Sequence, residues 1–188
     1  MSSRPTLHWT GDAADGSLVL LDQTRLPAEC TDVVCSDLDT VIEAIRMLRV
    51  RGAPAIGVAA AYGVVLGLQP AVAEAGTDRE AIERQLAAVG ESLVASRPTA
   101  VNLSWAVRRQ LDTAASVPEL APLALLERLL DEARTIEQED RKMCTAIGRA
   151  GAGLIPASVS VLTHCNAGAL ATAGDGTALA VLFEAAAR

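Results

Sequence analysis

An uncharged stretch from Gly52 to Ala73 constrains the fold of this chain more than any other feature. It is rich in Ala, Val, Leu and Gly, and it is interrupted by Pro54 and Pro70. Its periodic apolar part, about 16 residues, is shorter than the roughly 20 that a membrane-spanning helix needs. We therefore expect a buried helix from about Pro54 to Leu68, with small residues on several faces that let neighbouring helices approach closely.

Composition favours a helix-rich domain of the mixed α/β class. A chain of 188 residues with 51% hydrophobic content can form a sizeable core, but aromatic residues make up only 2% of it. That core must therefore be built from Ala, Val, Leu and Ile on closely packed helices. The net charge is −7, and Lys142 is the only lysine. Because nucleic-acid surfaces are usually basic, this charge argues against such a partner and requires any anion site to be local.

Residues 1–153 are predicted to form one domain of short strands followed by helices. The strands are expected to pair in a small antiparallel sheet. A helical period begins after Asp37, with Ser36 as the candidate N-cap and Gly52 as the end of that helix. Thr77 and Glu80 form a capping-box pattern before a later helix. The predicted strands are Leu7–Thr10, Ser17–Gln23 and Thr31–Cys35, and two further helices are predicted at Ala100–Ala115 and Pro118–Gly151.

Residues 154–188 have a different character and are predicted to begin a second domain. A short β-rich run through Val159, Val161 and Leu162 is followed by glycine-spaced turns and a helical segment from Ala178 to Arg188. Strand, glycine turn and helix in this order form the first unit of a Rossmann-like parallel sheet. A single such unit cannot cover or pair its own strand. We expect the remainder of that domain to be absent or supplied by another chain, or else the strand to join the N-terminal sheet.

Arg51-Gly52-Ala53-Pro54 is the strongest candidate for an anion-binding corner. Gly52 permits a tight turn, and Pro54 suits a first helical turn because its missing N–H is not needed there. The remaining first-turn amides and the helix dipole attract phosphate, and Arg51 adds a forked guanidinium. The alternative is that Gly52 only ends one helix and Pro54 only starts the next.

Cys165 and Arg97 are further candidates. Cys165 ends the predicted strand, which is where open α/β sheets bind ligands, although a cysteine there is often a small core residue. Arg97 precedes Pro98, which pushes its backbone to an extended shape between two helices. Its guanidinium either reaches a ligand or caps the preceding helix.

The remaining cysteines, Cys30, Cys35 and Cys144, are interpreted as packing residues. They form no CxxC pair, and the two histidines lie far apart in the sequence, so a zinc site is not expected. No basic start leads into an apolar run, which argues against a signal peptide. We expect reduced thiols and a cytoplasmic protein.

Four ordered blocks of the chain resemble the methylthioribose-1-phosphate isomerase family, which belongs with the alpha, beta and delta subunits of the initiation factor 2B group. The second block points to the isomerase branch. The blocks are Leu21-Asp22-Gln23-Thr24, the run from Val50 to Gly63, Arg97-Pro98-Thr99-Ala100-Val101-Asn102-Leu103, and the run from Thr163 to Thr172.

The resemblance implies a helical N-terminal domain with a small sheet, a Rossmann-like second domain and a homodimer. It also implies an aldose-to-ketose isomerisation in methionine salvage, which converts 5-methylthioribose 1-phosphate to 5-methylthioribulose 1-phosphate without a metal or organic cofactor. Carried over by motif, Arg51, Gly52 and Ala53 bind the substrate, Arg97 contacts it, and Cys165 is the catalytic cysteine.

This sequence departs from the family pattern in one respect. The family's catalytic aspartate and an Asn-Lys substrate pair lie in a later part of the Rossmann-like domain than this chain reaches. We therefore expect an incomplete chain that is inactive, or nearly so, by itself. Two alternatives stay open: a non-catalytic initiation factor 2B-like module that binds a sugar phosphate or nucleotide, and an isomerase of another pentose 1-phosphate.

Overall fold

The computed structural model describes residues 4–74 and 76–188. This part of the chain contains a small antiparallel sheet and helices packed around one long central helix, which confirms the helix-rich α/β class. The strands are β1 (Leu7–Thr10), β2 (Ser17–Leu21) and β3 (Asp32–Cys35). The helices are α1 (Leu38–Arg46), α2 (Ala53–Ala73), α3 (Arg79–Ser96), α4 (Val101–Ala115), α5 (Pro122–Ala152) and α6 (Ala178–Ala186).

The sheet has the order β1-β2-β3, and both pairings are antiparallel, as predicted. Leu20 on β2 lies opposite Leu7 on one side and Val33 on the other. Leu7, Leu18 and Leu20 are fully buried. Because side chains alternate across a strand, these apolar residues share one face, and that face covers one side of the helical core.

The first helix begins and ends differently from the prediction. Asp37, and not Ser36, is the N-cap of α1, because its carboxylate accepts the Thr40 amide N–H at 2.7 Å. The helix ends at Arg46, and Leu48 then adopts a left-handed φ of 61°. Gly52 therefore does not close this helix, and it lies instead at the start of α2.

Helix α2 is the central buried helix that the uncharged stretch predicts, and it continues through Pro70 to Ala73. Every residue from Ala55 to Leu68 is buried. By length and composition α2 could cross a membrane, but most of its apolar window is buried inside the protein, as in a core helix. Gly67 allows α3 to approach, since a Cβ there would lie 2.6 Å from a methyl group of Val89.

The other helix starts are displaced by a few residues from the predictions. Asp78, and not Thr77, caps α3 by accepting the Ala81 amide at 2.8 Å. Helix α5 starts at Pro122 and not at Pro118. Two ion pairs of Arg109, with Glu132 and Glu139, connect α4 to α5.

The predicted strand around Val159 to Leu162 is not formed among the described residues. Residues 156–165 have no regular structure, and Leu162 is 97% exposed. A parallel strand needs a neighbour for its backbone hydrogen bonds, and the described residues offer none beyond the three N-terminal strands. The alternative that this segment joins the N-terminal sheet is wrong, because that sheet consists of β1, β2 and β3.

Helix α6 confirms the predicted helical segment at the end of the chain and packs against α5. A Cβ on Gly151 would lie 2.5 Å from a methyl group of Val181, so the helices approach too closely for any side chain at that position. The loop between residues 165 and 177 thereby returns to the first helices of the chain, where it meets the N-terminus of α2.

Candidate active site

One cleft of about 650 Å³ is lined by all of the predicted site residues. It lies between the start of α2, the start of α4 and the loop that precedes α6. The predicted residues that it brings together are Arg51, Gly52, Ala53, Arg97 and Cys165. Residues far apart in sequence therefore meet at one place.

The backbone at Gly52 fits the cleft in a way that only glycine allows. Its φ is +97°, which side chains rarely adopt, and a Cβ would lie 2.4 Å from the Cα of Ala171. Gly52 is the N-cap of α2, and no side chain caps this helix. Because first-turn amides have no acceptor within their own helix, that of Ala53, which lines the cleft, stays available near the positive end of the helix dipole. Such an N-terminus is suited to an anion.

Arg97 places a guanidinium at the other side of the cleft. It follows the last residue of α3 with an extended φ of −152°, as the Pro98 that follows predicts. Its Nη1 is buried and has no hydrogen-bond partner among the described residues. Since a buried donor without a partner is costly, this nitrogen is suited to a ligand that supplies an acceptor.

Arg51 lies at the edge of the same cleft and is exposed. Within residues 4–74 and 76–188, the ion pairs involve neither Arg51 nor Arg97. The chain as a whole carries a charge of −7. Two uncompensated guanidinium groups beside a helix N-terminus nevertheless give this cleft a local positive potential that attracts anions.

Cys165 is exposed and has a left-handed φ of 71°. A non-glycine residue in this region costs of order 1 kcal/mol or more and is found preferentially at functional sites. The other thiols differ in setting. Burial raises the pKa of Cys35 to about 12 and also raises the pKa of Cys144, which fits packing residues. Cys30 is exposed, so its interpretation as a packing residue is wrong.

The loop that follows Cys165 is held against the N-terminal sheet by side chains of that sheet and its connections. The Thr6 hydroxyl donates to the Ala169 carbonyl at 2.8 Å, and the Gln23 amide donates to the Leu170 carbonyl at 2.7 Å. Ala171 then closes over Gly52. These contacts bring the loop to the cleft although the predicted strand before it is not formed.

Additional polar residues line the cleft, and the sequence reasoning did not assign roles to them. Asn102 and Asn166 lie inside the recognised blocks and could have been selected from them. Thr172 ends the fourth block, whereas Thr177 comes from the loop before α6 and its proximity to α2 has no local signal. The polar residues in question are Thr99, Asn102, Asn166, Thr172 and Thr177.

An ion pair outside the cleft, between Asp22 and Arg49, has a structural role. Asp22 is 2% exposed, and the Arg49 guanidinium donates to it at 2.5 Å. Burial opposes ionisation of Asp22, but hydrogen bonds from Thr24 and Arg49 hold its pKa below the usual value. No group of three or more His, Cys, Asp or Glu side chains suited to a metal ion occurs within the described ranges.

A helical domain with a small sheet carries an anion-attracting cleft at the N-terminus of its central helix. These features fit a protein that binds a small anionic ligand. The chain belongs to the Initiation factor 2 subunit family, whose sequence profile matches residues 49–188.

Within that family, the chain is similar to curated methylthioribose-1-phosphate isomerases. It is 52% identical over 165 residues to the one from Roseiflexus sp. (strain RS-1), which covers 88% of this chain and 47% of the relative. It is 49% identical over 180 residues to the one from Geotalea daltonii, which covers 96% of this chain and 50% of the relative. The chain thus spans about half the length of the curated relatives it matches.

Two solved structures share the fold of this chain over nearly its whole length. A crystal structure of translation initiation factor eIF-2B subunit delta from A. fulgidus matches with a TM-score of 0.84 at 34% identity and covers 98% of this chain and 52% of that one. A crystal structure of 5-methylthioribose 1-phosphate isomerase from Pyrococcus horikoshii OT3 also has a TM-score of 0.84, at 32% identity, and covers 98% of this chain and 50% of that one.

Proposed function

We propose that this chain is the substrate-binding half of an aldose-ketose isomerase that converts 5-methylthioribose 1-phosphate to 5-methylthioribulose 1-phosphate. The observation that carries the proposal is the single cleft shared by Arg51, the Gly52-Ala53 corner, Arg97 and Cys165. Relatives that are 49% to 52% identical bear the name methylthioribose-1-phosphate isomerase, which supports this substrate.

The substrate phosphate is proposed to bind at the N-terminus of α2. The Ala53 amide donates to it, and the guanidinium groups of Arg51 and Arg97 supply charge-assisted hydrogen bonds. The buried Nη1 of Arg97 gains the acceptor that it lacks among the described residues. Gly52 permits the close approach because no side chain stands between the backbone and the loop at Ala171.

Cys165 is proposed to be the catalytic cysteine. In this reaction a hydrogen moves from C2 to C1 of the sugar, the ring C1–O bond breaks, and the C2 hydroxyl proton ends on the former ring oxygen. No atom is gained or lost. Because phosphate on C1 prevents simple ring opening, firm positioning and local electrostatics must lower the barrier. A thiol beside C1 and C2 can move a proton or stabilise the changing charge.

Residues 154–188 are proposed to begin a Rossmann-like domain in a longer, homodimeric and cytoplasmic protein. Val159, Val161 and Leu162 are 52%, 46% and 97% exposed. A strand that pairs with a further part of such a domain would cover these side chains and shield Cys165. The relatives' greater length supports the proposal, and turnover is proposed to require that further part.

A second function is favoured by one observation, the similarity to initiation factor eIF-2B subunit delta. In that case the cleft binds a sugar phosphate or nucleotide without converting it, and the helical surface binds partners. An isomerase of another pentose 1-phosphate uses the same cleft, so binding of 5-methylthioribose 1-phosphate must be compared with binding of ribose 1-phosphate.

Calorimetry with 5-methylthioribose 1-phosphate tests the proposal. Arg97→Met and Arg51→Met are each expected to raise the Kd about tenfold or more, because each removes a charge-assisted phosphate contact. Arg84→Met removes an arginine that is 64% exposed and paired with Glu80, and it should leave the Kd unchanged. Absence of binding by the unmodified chain would overturn the proposal. No ketose should form in these samples, and its accumulation would contradict the requirement for a further part of the protein.

A further inference from the structure

Asp140, in the middle of α5, makes a contact that sequence reasoning did not anticipate. Its Oδ2 accepts the backbone N–H of Ala173 at 2.6 Å, across 33 residues of sequence. Ala173 directly follows Thr172, which lines the cleft, and Ala171, which closes over Gly52. Through this hydrogen bond, the Asp140 carboxylate holds the backbone of a short loop segment that lines the cleft.

The charge of Asp140 is unfavourable for folding. Burial raises the pKa of its carboxyl group, and Glu137 acts in the same direction, while the Ala173 hydrogen bond and Arg141 oppose both. The ion pair of Arg141 is with Glu137. A carboxylate that folding desolvates is found more often where a protein needs it for its function than where it only fills space.

On the α5 side the same segment also contacts Cys144, whose thiol interacts with Thr172 and Gly174. Gly174 packs against α5, where a Cβ would lie 3.0 Å from the Cβ of Cys144 and 3.2 Å from the Cα of Arg141. The hydrogen bonds from Thr6 and Gln23 act on Ala169 and Leu170, at the other end of the segment. Asp140 thus fixes the end that carries Thr172.

We infer that Asp140 is a positioning residue for the anion cleft: its carboxylate fixes the Ala171 to Ala173 backbone against α2, so that the loop lines the phosphate site in one conformation. The inference rests on the proposed function, since it concerns the same cleft. Asp140 itself does not line the cleft. It faces the adjoining pocket of about 410 Å³, which shares Pro54, Val101 and Asn102 with the cleft.

Asp140→Ala and Asp140→Asn separate positioning from a general structural effect. Asn keeps a side-chain acceptor for the Ala173 amide, whereas Ala leaves that amide without one. With 5-methylthioribose 1-phosphate as the probe, Asp140→Ala should raise the Kd about tenfold, the usual effect of one lost charge-assisted hydrogen bond. Asp140→Asn should keep the Kd within about twofold, since the contact survives. Asp131→Ala, on the same helix and 66% exposed, is the matched control and should change nothing.

Each Kd is measured well below the melting temperature of its variant, so that a loss of stability alone leaves it unmoved. If Asp140→Ala does not fold, Asp140→Glu takes its place. It keeps the charge and displaces the acceptor by one methylene, and it should weaken binding more than Asp140→Asn does. Equal affinity of all folded variants would overturn the inference. Failure of the unmodified chain to bind the probe would instead overturn the proposed function, together with this inference.

Discussion

Gly52 is the residue where backbone conformation and site geometry are most tightly coupled. Its φ of +97° turns the chain from Arg51 into α2, and the absence of a side chain lets Ala171 lie directly against it. Both the helix N-terminus and the covering loop depend on this contact. A single methyl group here would therefore affect stability and the cleft together.

Gly52→Ala is expected to lower the free energy of unfolding by about 2–4 kcal/mol, because a left-handed alanine and an overpacked contact each contribute. The contact is with backbone atoms of Ala171, at 2.4 Å for the Cα and 2.6 Å for the carbonyl oxygen, so the loop itself must move. Urea denaturation measures the change. Gly153→Ala is the matched control, since Gly153 has a φ of −66° and nothing within 4 Å of a Cβ. Equal effects of the two substitutions would contradict the role given to Gly52.

At this scale the sequence predicts those site residues that carry local signals. Gly52 before Pro54 indicates a helix start, and Arg97 before Pro98 indicates an extended corner, and both lie where the cleft forms. Asp140 had no such signal, because its partner is a backbone amide 33 residues away. A long-range contact of this type depends on how α5 packs, which no local pattern encodes.

Helix α5 combines a structural and a proposed functional role along its length. Its first half pairs with α4 through Arg109, and Glu137 accepts the Tyr62 hydroxyl of α2 at 2.5 Å. One turn later, Asp140 holds the loop before α6. Because burial raises the pKa of Asp140 above its ordinary value of 3.8, the folded protein binds more protons than the unfolded chain between the two pKa values. Stability contributed by this group therefore falls as pH rises through that window.

Asp140→Asn is expected to raise the melting temperature at pH 7, because it removes a desolvated charge and keeps the hydrogen-bond acceptor. The advantage should shrink as pH falls towards the raised pKa of the Asp140 carboxyl group, because protonation then removes its charge. Glu137, Arg141 and Cys144 are the nearby titratable groups and are unchanged in the variant. Thermal melts of both proteins between pH 4 and pH 7.5 measure the difference, and exposed Asp131→Asn serves as the control. A variant that is less stable than the unmodified chain at pH 7 would contradict this account.

Element boundaries illustrate what sequence patterns can and cannot determine. The predicted strand segments located β1 and β2 well, and the uncharged stretch located α2, because both patterns reflect burial in the formed structure. The cap of α1 was misplaced by one residue since Ser36 and Asp37 are both good caps, and only the geometry at Thr40 selects Asp37. The predicted strand near Leu162 failed because a strand is stabilised by its neighbours.

At the scale of the whole molecule, distant parts of the chain meet at one site. The cleft takes its cations and helix N-terminus from residues 51–97 and its thiol from the last quarter of the chain. The relatives are about twice as long as this chain. The proposed isomerisation therefore depends on the proposed phosphate site at this cleft and on a proton-transfer partner proposed to lie in a further part of the protein.

Alkylation of Cys165 in the presence of 5-methylthioribose 1-phosphate tests most directly whether the arginines and the thiol share a ligand. Cys30→Ser is introduced first, because Cys30 and Cys165 are exposed whereas Cys35 and Cys144 are buried. Saturating ligand should slow Cys165 modification by about fivefold or more, since a bound ligand is largely covered by the cleft that holds it. Arg97→Met should remove that protection at the same ligand concentration. Unchanged modification of Cys165 while calorimetry shows the ligand bound would contradict the central claim.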